Sequence, residues 1–223
     1  MAGRVLVDER KIDKPGTAVR ADAELRVLGE DLPFVSRGGL KLDHALNHFA
    51  IDARDRIGLD VGASTGGFTD CLLQRGATRV YAVDVGYGQL AEKLRQDPRV
   101  VNLERTNIRE LTSLPEPVQL IVIDASFISL ALVLPAALRF LAAGGEVVAL
   151  IKPQFEVDKG QVAKGGVVRD PALHAAVQRS VEATCQQLGL TVRGVVPSPI
   201  TGAKKGNLEF LLAAHRSGNP RRT

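Results

Sequence analysis

Asp124 and Lys152 each stand directly behind an apolar run, Leu120-Ile121-Val122-Ile123 and Val147-Val148-Ala149-Leu150-Ile151. Runs of this kind read as strands buried on both faces, and a lysine that ends one is costly to bury unless an acid lies beside it. In an open α/β sheet, ligands bind beyond the carboxyl ends of the strands, so this acid and this lysine would open onto a ligand crevice. Lys41 and Glu209 supply a second cation and a second carboxylate. Together these residues make a candidate pair of cations and pair of carboxylates. The plain alternative is ordinary ion pairing at the surface.

A second constellation lies at residues 57–70. An apolar run ends in Asp60, passes through a turn holding Gly62, Gly66 and Gly67, and opens a helix. That is the nucleotide-cofactor turn of a doubly wound fold: glycines let the backbone approach a ligand, and the helix start offers free N–H groups. Asp84, 24 positions after Asp60, ends another apolar run where an acid can accept from two ribose hydroxyls. The glycine register also selects the cofactor. Gly62, Ser64 and Gly67 occupy the dinucleotide positions, so a side chain stands where a pyrophosphate needs glycine. No Gly-Lys-Ser/Thr follows, which excludes a Walker loop. An adenosine cofactor without a pyrophosphate fits, and S-adenosyl-L-methionine is that cofactor. Asp60, Gly62, Ala63, Ser64, Thr65, Gly66, Gly67 and Phe68 would hold it, with Asp84 on its ribose. The plain alternative is a tight strand-to-helix turn with no ligand.

Elements must carry these residues to one place. Hydrophobic periodicity predicts strands at 57–61, 79–84, 100–103, 120–124, 146–151, 191–196 and 208–214. It predicts helices at 40–49, 67–75, 89–96, 130–141 and 171–188. Alternation of strands and helices implies a doubly wound, mostly parallel seven-stranded α/β sheet. The last two strands lack a crossover helix and should be antiparallel, giving one reversed edge member. This is the shape of the adenosylmethionine-dependent methyltransferase fold. Residues 3–28 carry short alternating apolar pieces broken by Pro15-Gly16, which suit short strands. The expected division is a small module at 1–30, a linker at 31–36, the main domain at 37–216 and a frayed tail at 217–223.

Composition narrows the classes. The chain has 223 residues, 45% of them hydrophobic and 24% charged, a globular balance. A net charge of +4 permits a polyanionic partner without requiring one. Cys71 and Cys185 have no metal-ligand spacing, so no metal is expected, and two thiols suit the cytoplasm. The N-terminus lacks the apolar core of a signal peptide. The most apolar region, 130–151, is broken by Pro135, Arg139, Gly144, Gly145 and Glu146, so no membrane span is expected. Aromatic residues make up 4% with no tryptophan, which disfavours extensive base stacking on single strands.

Five segments in order then carry a resemblance: Ser36-Arg37-Gly38-Gly39-Leu40-Lys41-Leu42, Asp60 through Thr69, Asp124-Ala125-Ser126-Phe127-Ile128-Ser129, Leu150 through Glu156, and Gly206-Asn207-Leu208-Glu209-Phe210-Leu211. From Ser36 to about His215 the chain resembles the TlyA-type (haemolysin A) ribosomal RNA 2′-O-methyltransferases, which have an FtsJ-like catalytic core. The resemblance implies methyl transfer from S-adenosyl-L-methionine to a ribose 2′-hydroxyl, of cytidine, in ribosomal RNA or ribosomal subunits. It places the family's Lys-Asp-Lys-Glu tetrad on Lys41, Asp124, Lys152 and Glu209. Lys152 would be the base or the group orienting the oxygen, with Asp124 positioning both Lys152 and the methyl donor. Burial and Lys41 favour a neutral amine at Lys152, whereas Asp124 and Glu209 favour its ammonium. The sequence leaves both open.

The resemblance also implies an alpha-L-type RNA-binding module at the N-terminus, of which residues 2–27 match only the strand-rich latter half. Residues 1–37 hold seven Lys/Arg and seven Asp/Glu, so this remnant is expected to bind RNA weakly by itself. The long polar connection 154–170 brings Lys159, Lys164 and Arg169 beside the active site, and Lys204 and Lys205 extend the same rim with Arg37. These six are the candidate phosphate-binding residues, and glycines allow the 154–170 connection to move. Structured RNA held through its backbone fits them. Competing classes are a small-molecule methyltransferase, a membrane-active haemolysin and a cofactor-binding RNA chaperone without catalysis.

Overall fold

The computed structural model describes residues 5–8, 10–12, 16–27, 32–163, 165–202 and 206–218. It divides into two units, Met1–Pro33 and Phe34–Thr223. In the first, β1 (Val5–Val7) lies between β2 (Arg10–Ile12) and β3 (Leu25–Val27), with both pairings antiparallel. Asp8 ties this unit together: its N–H donates to the Glu24 carbonyl and its carboxylate accepts the Glu24 N–H, each at 2.9 Å.

The second unit begins with α1 (Gly38–His48). Strands and helices then alternate except between β6 and β7: β4 (Ile57–Val61), α2 (Gly67–Gln74), β5 (Arg79–Val83), α3 (Glu92–Arg95), β6 (Val100–Leu103), β7 (Val118–Ile123), α4 (Leu130–Ala137) and β8 (Leu141–Ile151). The chain finishes with α5 (Pro171–Gln187), β9 (Leu190–Pro197) and β10 (Phe210–Arg216). The seven-stranded sheet runs β6-β5-β4-β7-β8-β10-β9, parallel except for β10. Residues of α4 and α5 pack into a core on one face, including Leu134, Val181 and Cys185 against Ile121, Ala149 and Leu212. Residues of α1, α2 and α3 cover the other, including Leu42, Leu72 and Leu94 with Val122, Leu150 and Leu211.

One expectation is corrected. The reversed strand is not at the edge: β10 pairs with β8 on one side and β9 on the other. The two sequences explain this. β10 runs Phe-Leu-Leu-Ala-Ala and is buried throughout these five residues, as an interior strand requires. β9 alternates exposed Thr191 and Arg193 with half-buried Val192 and ends at Pro197, which suits an edge. Two helices are also shorter than expected. The 89–96 helix is the single turn α3, since Ala91 is still extended at ψ 141°. The 130–141 helix tightens to a 3₁₀ turn at Leu138–Phe140, and β8 starts directly afterwards. The tail beyond residue 218 lies outside the described residues.

Candidate active site

Period-two alternation decides which face each strand-end residue serves. Leu120 and Val122, Val148 and Leu150, and Leu211 and Ala213 all point into the core beneath α1 and α2. Continuing each strand by the same step brings Asp124, Lys152 and Glu209 to that same face. Register completes the convergence. Ile123 pairs with Ala149 in parallel and Ile151 pairs with Phe210 in antiparallel. The reversed direction of β10 places Glu209, just before its first residue, at the same end of the sheet as Asp124 and Lys152.

Two buried ion pairs result. Lys152 Nζ lies 2.5 Å from Asp124 Oδ1, and Lys41 Nζ donates to Glu209 Oε2 at 2.5 Å. The Lys152, Lys41 and Glu209 side chains are 10%, 10% and 4% exposed, and that of Asp124 is 22% exposed. Lys152 also donates to Ser126 Oγ at 2.8 Å and faces the Asp124 carbonyl at 3.4 Å. Ser126, two residues past Asp124, was not a sequence candidate for this role. Gly202 lies so close to Glu209 that a Cβ there would stand 2.7 Å from its Oε1, so the carboxylate needs that space.

All four of these residues line a cavity of about 670 Å³, a volume suited to a small-molecule ligand. Gly62, Ala63, Ser64, Thr65, Gly67 and Phe68 form another part of its wall, and Arg37 stands at the opening. Gly62 has φ +85°, and a Cβ there would stand 2.8 Å from the Asp124 carbonyl. That close approach needs glycine. Gly67 lets α2 begin against α1: a Cβ would meet Ser36 Oγ at 2.2 Å and the Gly39 nitrogen at 2.8 Å. Two helix N-termini therefore face the same space.

Three of the sequence-predicted cofactor residues, Asp60, Gly66 and Asp84, are not among those that line the cavity. Gly66, at φ +96°, leaves room for Leu90 and Leu94 rather than for a ligand. Asp84 is half-buried; its Oδ2 accepts from Ser64 N–H at 2.7 Å and its Oδ1 from Gly86 N–H at 2.6 Å, shaping the turn. Asp60 is fully buried beneath the turn, with Thr69 Oγ donating to its Oδ2 at 2.7 Å and no partner for Oδ1. Burial pushes the Asp60 carboxyl up to about 7, and Asp124 and Asp84 add to the rise.

The 154–170 connection has local order that its polar composition did not reveal. It passes through 3₁₀ turns at Pro153–Phe155 and Lys159–Gln161 and a bridge between Ala163 and Val167. Asn207 holds its far end, its Oδ1 accepting from Val168 N–H and its Nδ2 donating to the Gly166 carbonyl. Phe127, 87% exposed with φ +64°, packs against Phe155 at the cavity rim, with ring centroids 5.0 Å apart and the rings tilted by 48°. Arg169 is exposed. Lys164, Lys204, Lys205 and the Lys159 side chain lie outside the described residues. Among the described residues there is no cluster of three metal-ligating side chains, and no helix is long and apolar enough to cross a membrane.

Comparison with known proteins agrees with this architecture. Residues 34–216 match the FtsJ-like methyltransferase family. The chain is 52% identical to the "16S/23S rRNA (cytidine-2'-O)-methyltransferase TlyA" of Mycobacterium tuberculosis, over 95% of this chain and 80% of the relative. It is 50% identical to the "Putative rRNA methyltransferase YqxC" of Bacillus subtilis, over 98% of this chain and 78% of that one. A solved structure from Streptococcus thermophilus, described as a "Putative hemolysin", superposes with a TM-score of 0.84 at 45% identity, covering 98% of this chain and 80% of its own.

Proposed function

The chain belongs to the FtsJ-like methyltransferase family, and we propose that it transfers a methyl group from S-adenosyl-L-methionine to the 2′-hydroxyl of a cytidine ribose in ribosomal RNA. The observation that carries this reading is the meeting of two buried lysine–carboxylate pairs on a cavity whose other wall is the glycine-rich turn. The residues present fit the cofactor. The N–H groups at the start of α2 suit its carboxylate, the close approach at Gly62 admits its body, and Asp84 stands at the turn for its ribose. When bound, the cofactor supplies an activated methyl group.

The protein's task is then placement, which accounts for most of the acceleration such a reaction needs. Lys152 orients the 2′-oxygen, a role for which the Ser126 hydroxyl gives way because it is the uncharged acceptor. Asp124 fixes the amine, and the Lys152–Asp124 pair receives the proton lost as oxygen bonds to carbon. Lys41 and Glu209 hold the ribose beside them. Phe127 offers an exposed ring face at the opening for the target base. Arg37, Lys159, Lys164, Arg169, Lys204 and Lys205 are the phosphate-binding residues of this reading. The three-stranded N-terminal unit serves as an RNA-binding module, joined by a linker to the domain at 37–216. A ribosomal substrate places the enzyme in the cytoplasm.

The test is a map of ribose methylation in ribosomal RNA from cells with and without the protein, repeated with purified subunits and cofactor. A cytidine 2′-O-methyl mark that depends on the protein supports the reading. Identical maps overturn it.

A further inference from the structure

We propose that Glu156 is a positioning residue whose carboxylate clasps the loop after β8 to the loop after β7, so that Lys152 and Asp124 stay opposed. Glu156 lies four residues past Lys152 and does not line the cavity. Its Oε1 accepts from the Leu130 N–H at 2.8 Å and its Oε2 from the Ser129 hydroxyl at 2.7 Å. Those two partners follow Asp124 by six and five residues. The Glu156 backbone is fixed to the lysine as well, through Phe155 N–H to the Lys152 carbonyl at 2.9 Å and Glu156 N–H to the Pro153 carbonyl at 3.0 Å.

The clasp is more than a helix cap. Ser129 already caps α4, its Oγ accepting from the Ala131 N–H at 3.1 Å. Burial of the Glu156 carboxyl disfavours its charge and raises its pKa above the ordinary value. A second, half-buried acceptor at a helix start that is already capped points to its other end, the turn that carries Lys152. The two loops are thus joined twice, by Lys152 to Asp124 and Ser126 at the sheet and by Glu156 to Ser129 and Leu130 farther out. The Phe127 and Phe155 rings also meet between the same loops, tilted by 48°. One join alone would act as a pivot; two fix the angle between the loops.

This proposal rests on the methyl-transfer reading of the Lys152–Asp124 pair, and its test has an arm that does not. Glu156→Gln keeps the clasp, since its oxygen can accept from Leu130 and its amide can donate to Ser129, whereas Glu156→Ala breaks it. With saturating cofactor and rRNA, single-turnover methylation should fall at least about tenfold in Glu156→Ala and stay within about threefold in Glu156→Gln, as misplacement of reacting groups implies. Cofactor affinity should be unchanged in both. A purely structural role would lower the unfolding temperature of Glu156→Ala and spare this rate. A wild-type rate in Glu156→Ala, or equal loss in both variants, overturns the proposal. Independently, amide exchange in Glu156→Ala should quicken together across 125–130 and 153–157 and stay unchanged across 62–68. Quickening confined to the start of α4 overturns the clasp even if methylation itself is absent, in which case the functional reading fails separately.

Discussion

Lys152 Nζ lies 2.5 Å from Asp124 Oδ1, each residue one step past the carboxyl end of its strand in an adjacent parallel pair. Neither would be stable alone at this depth, because an uncompensated buried charge is expensive. The same holds for Lys41 and Glu209, which meet from α1 and the start of β10. Each pair therefore has a structural and a chemical consequence, and variants can separate them.

Lys41→Ala leaves the Glu209 carboxylate, with a side chain 4% exposed, without its cation. The expected loss of stability is roughly 3–5 kcal/mol, and the double variant with Glu209→Ala should lose less than the sum of the singles. Urea unfolding of all four proteins measures the coupling. Additive losses would mean that the pair does not interact.

Asp84→Ala should weaken cofactor binding by about 1–3 kcal/mol, the range for losing hydrogen bonds to a charged group. The variant also frees the Ser64 and Gly86 N–H groups, so the turn itself should loosen. Calorimetry with unchanged affinity would remove Asp84 from the site.

Asp60 gives a pH dependence. Its folded pKa of about 7 lies above the unfolded value of 3.8, so the folded protein holds the proton more tightly. Its stability contribution is fully present below about pH 4 and is lost as pH rises toward 7, by at most about 4 kcal/mol. Asp60→Asn should flatten that slope, making the variant relatively more stable at pH 8 than at pH 5. Parallel unfolding curves for the two proteins at both pH values would contradict this.

Much of this site is legible in the sequence because its residues stand at the ends of strong apolar runs. Asp124 and Lys152 need only the rule that ligands bind beyond strand ends. The place of β10 is harder to read: the missing crossover helix suggests an edge, although Thr191 and Arg193 in β9 against the unbroken apolar run of β10 hold the opposite signal. Ser126, Glu156 and Asn207 are not legible as partners, because each acts across loops at separations of 26 to 41 residues that local pattern does not encode. The purposes of Gly66 and Gly67 also emerge only in three dimensions, as room for Leu94 and for α1.

RNA binding should depend on salt through the basic rim. Replacing Arg37, Lys159, Lys164, Arg169, Lys204 or Lys205 singly by Ala should lower the slope of log affinity against log salt by about one unit for each phosphate that the side chain neutralises. Titrations of an rRNA fragment that keep the parent slope in every variant would place the RNA surface elsewhere.

The most direct test of the mechanism is single-turnover methyl transfer by Lys152→Ala, measured on ribosomal RNA with saturating cofactor. Removing the lysine should abolish transfer while calorimetry shows cofactor affinity nearly unchanged, because Lys152 orients the attacking oxygen and Gly62–Phe68 hold the cofactor. A near-wild-type rate in a folded, cofactor-bound Lys152→Ala would contradict the account.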